Sequence, residues 1–218
     1  MYRLVQYSSS HAEYFLHTMT SERGRPRTFD VNEALDRALA VFWQHGFQGA
    51  SLAQLTAAME VSKPSLYAAF GNKEQLYLKV LDRYVQQQIA HQSSILNAEP
   101  DCRYAIENYL RSAVVMLTNP LIPNGCLIVN GTTDCSVSIT PASIEAALRN
   151  ALLGSEQRMA DRIRRAQQEG QFATQLDAEN VAGFFSALLA GLAVLAKSGA
   201  AQHKLDAIVT TSMATWPA

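Results

Sequence analysis

The stretch VSKPSLYAAFGNKEQLY, residues 61–77, contains the start signals of two helices separated by a short turn. Ser62 can cap a helix that carries Pro64 in its first turn, where the missing N–H of proline costs little. Asn72, followed three residues later by Gln75, has the spacing of a capping box at the start of the next helix. The sequence therefore predicts a short helix directly before a longer amphipathic one.

Two further helix starts lie upstream of this stretch. Asp30 with Glu33, and Ser51 with Gln54, have the same capping-box spacing, and Gly46 is placed to end the first of these helices. Apolar residues at helical spacing predict the buried sides: Leu35, Ala38, Leu39 and Phe42, then Leu52, Leu55 and Met59. The second and third helices, at 51–58 and 62–68, nearly abut, which is typical of a helix-turn-helix.

The second helix of this pair carries the side chains that a DNA-reading helix needs. Leu66 and Phe70 would face inward, whereas Lys63, Ser65 and Tyr67 would face outward as donors to phosphates or base edges. An arginine-bearing arm precedes the first helix and could follow phosphates or enter a minor groove, with a solvated tail as the alternative. The predicted DNA-contacting residues are Arg23, Arg25, Arg27, Ser51, Lys63, Pro64, Ser65, Tyr67 and Lys73.

The same region resembles the DNA-binding domain of the TetR/AcrR family of bacterial transcriptional regulators. The resemblance covers residues 24–77 and rests on GRPRTFD followed by ALAVFWQHGFQGASLAQLTAAMEVSKPSLYAAFGNKEQLY. It implies a homodimer whose two recognition helices read a near-palindromic double-stranded DNA operator. It also implies a repressor that is released by a small-molecule effector, which binds a C-terminal ligand-binding and dimerisation domain.

Three features depart from the family pattern. Glu60 occupies a turn position that often holds glycine, so a left-handed backbone there would cost on the order of 1 kcal/mol. Ala69 precedes Phe70 where a histidine is common, which removes one expected phosphate contact. The extension before Gly24 is also longer than usual.

The fold class predicted for the whole chain is all-α, because Ala, Leu, Gln, Glu and Arg fill most periodic segments and strand patterns are rare. Further helices are expected at 102–117, 140–168, 177–198 and 201–214. We assign residues 22–75 to a three-helix DNA-binding domain and 76–218 to a helical ligand-binding and dimerisation domain. Residues 1–21 form an extension, either disordered or packed as an extra helix, and Met19 could itself start a polypeptide.

Composition argues against several other classes of protein. The net charge is −1, so any nucleic-acid contact must come from a local patch. Three cysteines do not make a disulfide framework and indicate a reducing compartment. The run VAGFFSALLAGLAVLA, 181–196, is shorter than the roughly 20 residues of a membrane span. We expect a cytoplasmic protein with no membrane partner.

The sequence lacks the patterns that are typical of catalytic and cofactor sites. The five histidines share no ligand spacing, which argues against a metal site. No phosphate loop, nucleophile elbow or spaced carboxylate pair appears, so we expect no enzyme activity and no cofactor. A helical enzyme with an incidental helix-turn-helix is the main alternative, and a nonspecific nucleoid-binding protein would need a more basic face.

A ligand cavity is implied by the resemblance, and its candidate residues are equally explicable as core. They are Tyr104, Tyr109, Met116, Cys126, Met159 and Phe185. Cys126 follows a Pro-Asn-Gly break and would lie near the first turn of a helix, where the helix dipole can lower a thiol pKa. A thiol sensor of oxidants or electrophiles is therefore an alternative, although a small buried hydrophobic side chain is the favoured reading.

The last two helices, within residues 177–214, are predicted to form the homodimer. Helix 177–198 has apolar residues on two sides, which implies burial on both. The bulky side would pack on its own domain: Val181, Phe184, Leu188, Leu192 and Leu195. The side of small residues would approach the partner helix: Gly183, Ala187, Ala190, Gly191 and Val194. Two half-sites one helical turn of DNA apart require two linked copies.

Overall fold

The computed structural model describes residues 29–135 and 139–216, and within these residues the chain forms nine α-helices and no β-strand. The predictions on residues 1–21 and on Arg23, Arg25 and Arg27 lie outside this part. The helices are α1 (Val31–Gly49), α2 (Leu52–Met59), α3 (Lys63–Phe70), α4 (Lys73–Ala98), α5 (Cys102–Leu117), α6 (Leu127–Asp134), α7 (Ala142–Gln168), α8 (Ala178–Lys197) and α9 (Gln202–Met213). The all-α prediction is confirmed.

Helix starts in the N-terminal half follow the predicted caps. Reciprocal capping boxes join Ser51 to Gln54 at α2 and Asn72 to Gln75 at α4. At α1 the box is incomplete. Asp30 accepts hydrogen bonds from the backbone N–H groups of the first turn, but the Glu33 carboxylate instead accepts one from Arg37 Nη2 at 2.7 Å. These contacts satisfy amide groups that a helix N-terminus leaves without partners.

Helix α1 changes direction at Gly46, whose backbone adopts a φ of +68°. This conformation is easy for glycine and strained for other residues. The last turn of α1 therefore continues along a different axis, which agrees with the prediction that Gly46 ends the main helix. The break brings Phe47 against Tyr77 of α4, with ring centroids 5.4 Å apart.

A first buried cluster joins helices α1 to α4. Edge-to-face ring pairs lie at its centre, Phe42 with Tyr77 at 5.0 Å and Trp43 with Tyr84 at 5.1 Å between centroids. The cluster also takes in side chains of α6 and the first half of α7, namely Leu127, Ile128, Ile144, Leu148 and Ala151. Helices α1 and α4 therefore pack directly on the C-terminal half of the chain.

A second buried cluster fills the C-terminal half. It is built from α5, α7, α8 and α9, together with the end of α4 at Leu96. Because α4 contributes to both clusters, it connects the two halves mechanically as a single rod of 26 residues.

A buried arginine fixes the far end of α4. Arg162 of α7 donates to the carbonyl oxygens of Leu96, Glu99 and Pro100 at 3.0, 3.1 and 2.8 Å. These are among the carbonyl groups that a helix C-terminus leaves unpaired. The positive charge also lies at the negative end of the helix dipole. Arg162 therefore anchors α4 to α7.

Helix α8 has enough length and apolar composition to cross a membrane, with 20 residues, and 28% of that window is buried. The run 181–196 lies within this helix, and the residues at its two ends bring the helix to the length of a span. The same pattern is also found in helices that are half covered by their own domain, and Ala182, Phe185, Leu192 and Ala193 pack in the second cluster.

Helix α8 differs from the prediction at two residues. Ala190 was expected to approach the partner helix, but it packs against the second cluster of its own chain. Phe184 was expected to pack on its own domain, but its side chain is 50% exposed. The neighbouring Phe185 occupies the inward position instead. At 3.6 residues per turn, Phe184 lies on one stripe with Ala187, Gly191 and Val194, all of them exposed. We call these four residues the α8 stripe.

Candidate DNA-binding surface and internal cavity

Helix α3 is held in place by its inner side. Leu66 and Phe70 of α3 are buried against Leu55 and Met59 of α2, as predicted. Phe70 also contacts Phe29, with ring centroids 5.8 Å apart. An eight-residue helix is marginal by itself, so this packing gives α3 its fixed position.

The turn between α2 and α3 uses the strained backbone expected at Glu60, with φ of 55° and ψ of 37°. In this left-handed conformation the Val61 N–H donates to the Thr56 carbonyl at 3.1 Å and closes the end of α2. The Glu60 carboxylate pairs with Arg37 of α1 at 2.8 Å. This ion pair raises the pKa of Arg37 and joins the turn to α1.

The outer side of α3 is polar and open to solvent. Lys63 and Pro64 are exposed, and Tyr67 is 43% exposed although it is a large aromatic residue. The Lys63 ammonium lies 6.0 Å from the centre of the Tyr67 ring, one turn away. Ser65 is half-buried, and its hydroxyl is 2.8 Å from that of the capping residue Ser62. The outward-facing donors are therefore concentrated at Lys63 and Tyr67.

Two predicted contact residues lie at the edges of this surface. Ser51 is exposed and caps α2. Lys73, at the first position of α4, donates to the Gln48 carbonyl at 3.3 Å, and its ammonium lies 4.8 Å from the Phe47 ring centre. Burial lowers the pKa of Lys73. Its ammonium is thus partly occupied within the protein, and its contact with DNA stays a prediction.

Two cavities lie behind this surface. One of about 150 Å³ lies between the last turn of α1, α4, α6 and α7, and its lining includes Phe47, Tyr77 and Asp134. The other, of about 70 Å³, lies inside the C-terminal half between α4, α5, α6, α7 and α8. We call the second one the inner cavity.

The inner cavity contains half of the predicted ligand-binding residues. Tyr109, Met116 and Cys126 line it. Tyr104 does not, because it points away from the core and is 53% exposed. Met159 and Phe185 are fully buried in the second cluster and do not line the cavity. The assignment of these last three residues to the cavity is corrected accordingly.

Polar residues in the inner cavity were missed by the sequence prediction. Gln92 of α4 donates to Ser155 of α7 at 3.2 Å and accepts a hydrogen bond from Arg158 Nε at 2.6 Å. His91 Nε2 lies 2.7 Å from Ser112 Oγ. Helical spacing places Ser155 and Arg158 on the same side of α7 as its apolar stripe, so the sequence does indicate that they face inward. The prediction missed them because it considered only the apolar residues on that side.

The three cysteines have different surroundings, and all are free thiols. Burial raises the pKa of Cys102 to about 11 and also raises the pKa of Cys135. Cys126 is half-buried at the N-terminal boundary of α6, and its Sγ lies 3.5 Å from the Tyr84 hydroxyl. Among the three, Cys126 is the one that lines the inner cavity.

Comparisons with known proteins agree with this geometry. Residues 34–80 match the family of bacterial regulatory proteins of the tetR family, and residues 104–211 match the tetracyclin repressor-like C-terminal domain. The HTH-type transcriptional repressor ComR of Escherichia coli K12 is 33% identical over 196 residues, covering 89% of this chain and 92% of ComR. The repressor BdcR of the same organism is 28% identical over 190 residues, covering 87% and 88% of the two chains.

A solved structure gives the same result. A cysteine mutant of the TetR family transcriptional regulator CifR, complexed with a 26-base-pair operator, has a TM-score of 0.84 and 37% identity. The match covers 88% of this chain and all of that one. Helices α2 and α3 pack through their apolar sides, the outer side of α3 is polar, and a helical domain follows. This is the arrangement of a helix-turn-helix DNA-binding transcriptional regulator. The chain belongs to the TetR family of bacterial regulators.

Proposed function

We propose that this chain is a cytoplasmic, homodimeric repressor that binds a near-palindromic operator and is released by a small-molecule effector. The observation that carries the proposal is the division of α3 into a buried apolar side and an exposed polar side. ComR and BdcR are named as repressors, and CifR was solved with double-stranded operator DNA. Membership of a regulator family argues against enzyme activity and a cofactor.

Within this function, the predicted DNA-binding residues take different roles. Lys63 and Tyr67 would reach base edges or phosphates from the first turns of α3, with Pro64 and Ser65 beside them. Ser51 and Lys73 would meet the phosphate backbone at the flanks, and the arm with Arg23, Arg25 and Arg27 would follow the adjacent groove. Residues 22–75 would form the DNA-binding domain, 76–218 the effector and dimer domain, and 1–21 an appended extension.

The α8 stripe would form the centre of the dimer. A row of exposed apolar side chains on an otherwise packed helix is typical of an interface between subunits. Small residues at Ala187 and Gly191 would allow close approach, and Phe184 would insert beside them. Helix α9 completes the predicted interface over 177–214.

The experiment selects bound sites from random double-stranded DNA with the purified full chain, and measures its mass by light scattering. One near-palindromic motif and a mass twice the 23.9 kDa of the chain are expected. A pool without any shared motif would contradict sequence-specific binding. A monomer that binds single half-sites would contradict the dimer but leave DNA binding intact.

A thiol-sensing mechanism is a second candidate, because Cys126 lines a cavity that a small reactive molecule could enter. Operator affinity is measured before and after treatment with hydrogen peroxide or a maleimide. If Cys126 is the sensor, Cys126→Ser removes the response, whereas the matched control Cys135→Ser keeps it. An unchanged response in Cys126→Ser rules this candidate out.

A further inference from the structure

The inner cavity contains a cation that the protein itself does not neutralise. Arg158 lines the cavity, and among residues 29–135 and 139–216 it forms no ion pair with a carboxylate. Other arginines in this part of the chain, such as Arg83 and Arg111, each pair with Asp or Glu. Arg158 has one hydrogen bond to a described residue, from Nε to Gln92 Oε1.

This arrangement leaves most of the guanidinium available to a ligand. A guanidinium carries five N–H donors in a planar fork, and Gln92 uses the one on Nε. Burial lowers the pKa of Arg158, but a guanidinium stays charged at neutral pH. Arg158 is half-buried, and a partly desolvated charge without a counter-ion favours an anion that enters the cavity.

The rest of the lining is suited to an apolar body with one polar end. Met116, Leu117 and Leu152 give the cavity an apolar wall. Burial raises the pKa of Tyr109 to about 12, so its phenol remains protonated and can donate a hydrogen bond. The volume of about 70 Å³ exceeds the 10–15 Å³ needed for one water on this measure several-fold, which leaves room for a small ligand.

We propose that the effector is a small organic acid bound as its anion, with its carboxylate on the Arg158 guanidinium and its apolar part against Met116, Leu117 and Leu152. This proposal rests on the proposed function, since it names the chemical class of the effector.

The site is placed to influence α4. Gln92 orients Arg158 and lies on α4, whose first turn carries Lys73 beside the DNA-binding helices. An anion that draws the guanidinium into the cavity also changes its contact with Gln92. A ligand shifts the equilibrium between two arrangements of the DNA-binding domains only if it binds one arrangement more tightly than the other. The contact between Arg158 and Gln92 would give the anion this difference in affinity.

Binding is tested on the DNA-free full chain by isothermal calorimetry, with butanoate, hexanoate and octanoate as probes and the neutral amide of each as its partner. We expect at least one acid to bind roughly tenfold or more tightly than its amide, because a charge-assisted hydrogen bond is about twice as strong as a neutral one. Equal affinity for acid and amide, or no binding by any acid up to about 10 mM, would overturn the proposal.

Variants locate the effect on one side chain. Arg158→Met should remove the preference for the acid, Arg158→Lys should keep part of it, and Arg149→Met, at an exposed arginine of the same helix, should keep all of it. A preference that survives in Arg158→Met would overturn the proposal. Circular dichroism checks folding, and the comparison of acid with amide in the wild-type chain needs no variant.

The two proposals fail in different ways. Calorimetry without DNA reports on acid binding and not on operator binding, and the Arg158 variants assign that binding to the inner cavity. Site selection from random DNA reports on α3 and the dimer. If the chain binds its operator normally but binds acid and amide equally, the effector is not an organic acid, and the repressor function is retained. Acid binding by a chain that selects no operator would reject the repressor instead.

Discussion

Helices α3 and α8 are both only partly covered by the rest of the chain, yet their open sides are opposite in chemistry. The open side of α3 carries Lys63 and Tyr67 and is polar. The open side of α8 carries the α8 stripe, which is apolar, with polar residues only at the two ends of the helix. A polar surface gains by meeting a charged, hydrated partner such as DNA, whereas an apolar one gains by leaving water.

The two helices also differ in the packing that holds them in place. Helix α3 has eight residues and depends on Leu66 and Phe70 for its position, so its open side can be varied without loss of packing. Helix α8 has 20 residues and packs on α7 along its length. Changes on the open sides of both helices should therefore alter partner binding more than they alter folding.

The largest expected effect comes from Phe184→Glu, which places a charge in the α8 stripe. In a two-fold dimer the change occurs twice, and burying each unpaired carboxylate should cost at least about 3 kcal/mol. Analytical ultracentrifugation should show a monomer, and operator affinity should fall with it. Leu121→Glu, at an apolar residue that is 74% exposed in the loop after α5, is the control and should remain a dimer. A dimeric Phe184→Glu variant would place the interface elsewhere.

Next in size are Lys63→Ala and Tyr67→Ala. Each should weaken operator binding by about 1–3 kcal/mol without lowering the melting temperature, because both side chains are exposed. Fluorescence anisotropy with a labelled operator measures the loss. Arg149→Ala, at an exposed basic residue of α7 outside the predicted DNA-binding and dimer surfaces, is the matched control. Wild-type affinity in both α3 variants would mean that another side of α3 meets DNA.

A smaller effect is expected for Lys73→Ala. If its ammonium leaves Gln48 for a phosphate, the slope of log K against log salt should become less steep by about 0.9, for all DNA sequences alike. Titrations at several salt concentrations measure this slope. An unchanged slope together with a lower melting temperature would instead show that Lys73 only holds the end of α1.

The smallest effect tests the turn that sets the angle of α3. Glu60→Gly should raise the free energy of unfolding by roughly 0.5 kcal/mol, since relief of the positive φ outweighs loss of the exposed pair with Arg37. Glu60→Ala loses the same pair and keeps the strain, so it should be less stable than wild type. Urea unfolding compares the three proteins. A glycine variant less stable than the alanine variant would refute this account.

Much of the DNA-binding half could be predicted from local sequence. The starts of α2, α3 and α4 lie at the predicted caps, and the break at Gly46 and the left-handed Glu60 also agree. Each of these features depends on side chains within three or four residues of each other. The incomplete box at α1 shows the limit, because Arg37 competes for the Glu33 carboxylate.

The cavity could be predicted only in part. The resemblance implied a cavity without fixing its lining, and of its candidates Tyr109, Met116 and Cys126 border the inner cavity. Neither the resemblance nor a helical period says which inward residues border a space, and Met159 and Phe185 lie in the packed core instead. Arg158 lies in phase with the apolar stripe of α7, but its contact with Gln92 depends on α4, which is distant in sequence.

The sequence by itself determined where α2, α3 and α4 begin and that 51–70 is a helix-turn-helix, because caps, turns and apolar periods act over a few neighbouring residues. The tertiary structure alone decided that Phe184 faces outward while Phe185 faces inward, and that Arg158 meets Gln92 in a cavity. Those outcomes depend on the rotation of each helix against its neighbours, and the packing of the whole core sets that rotation.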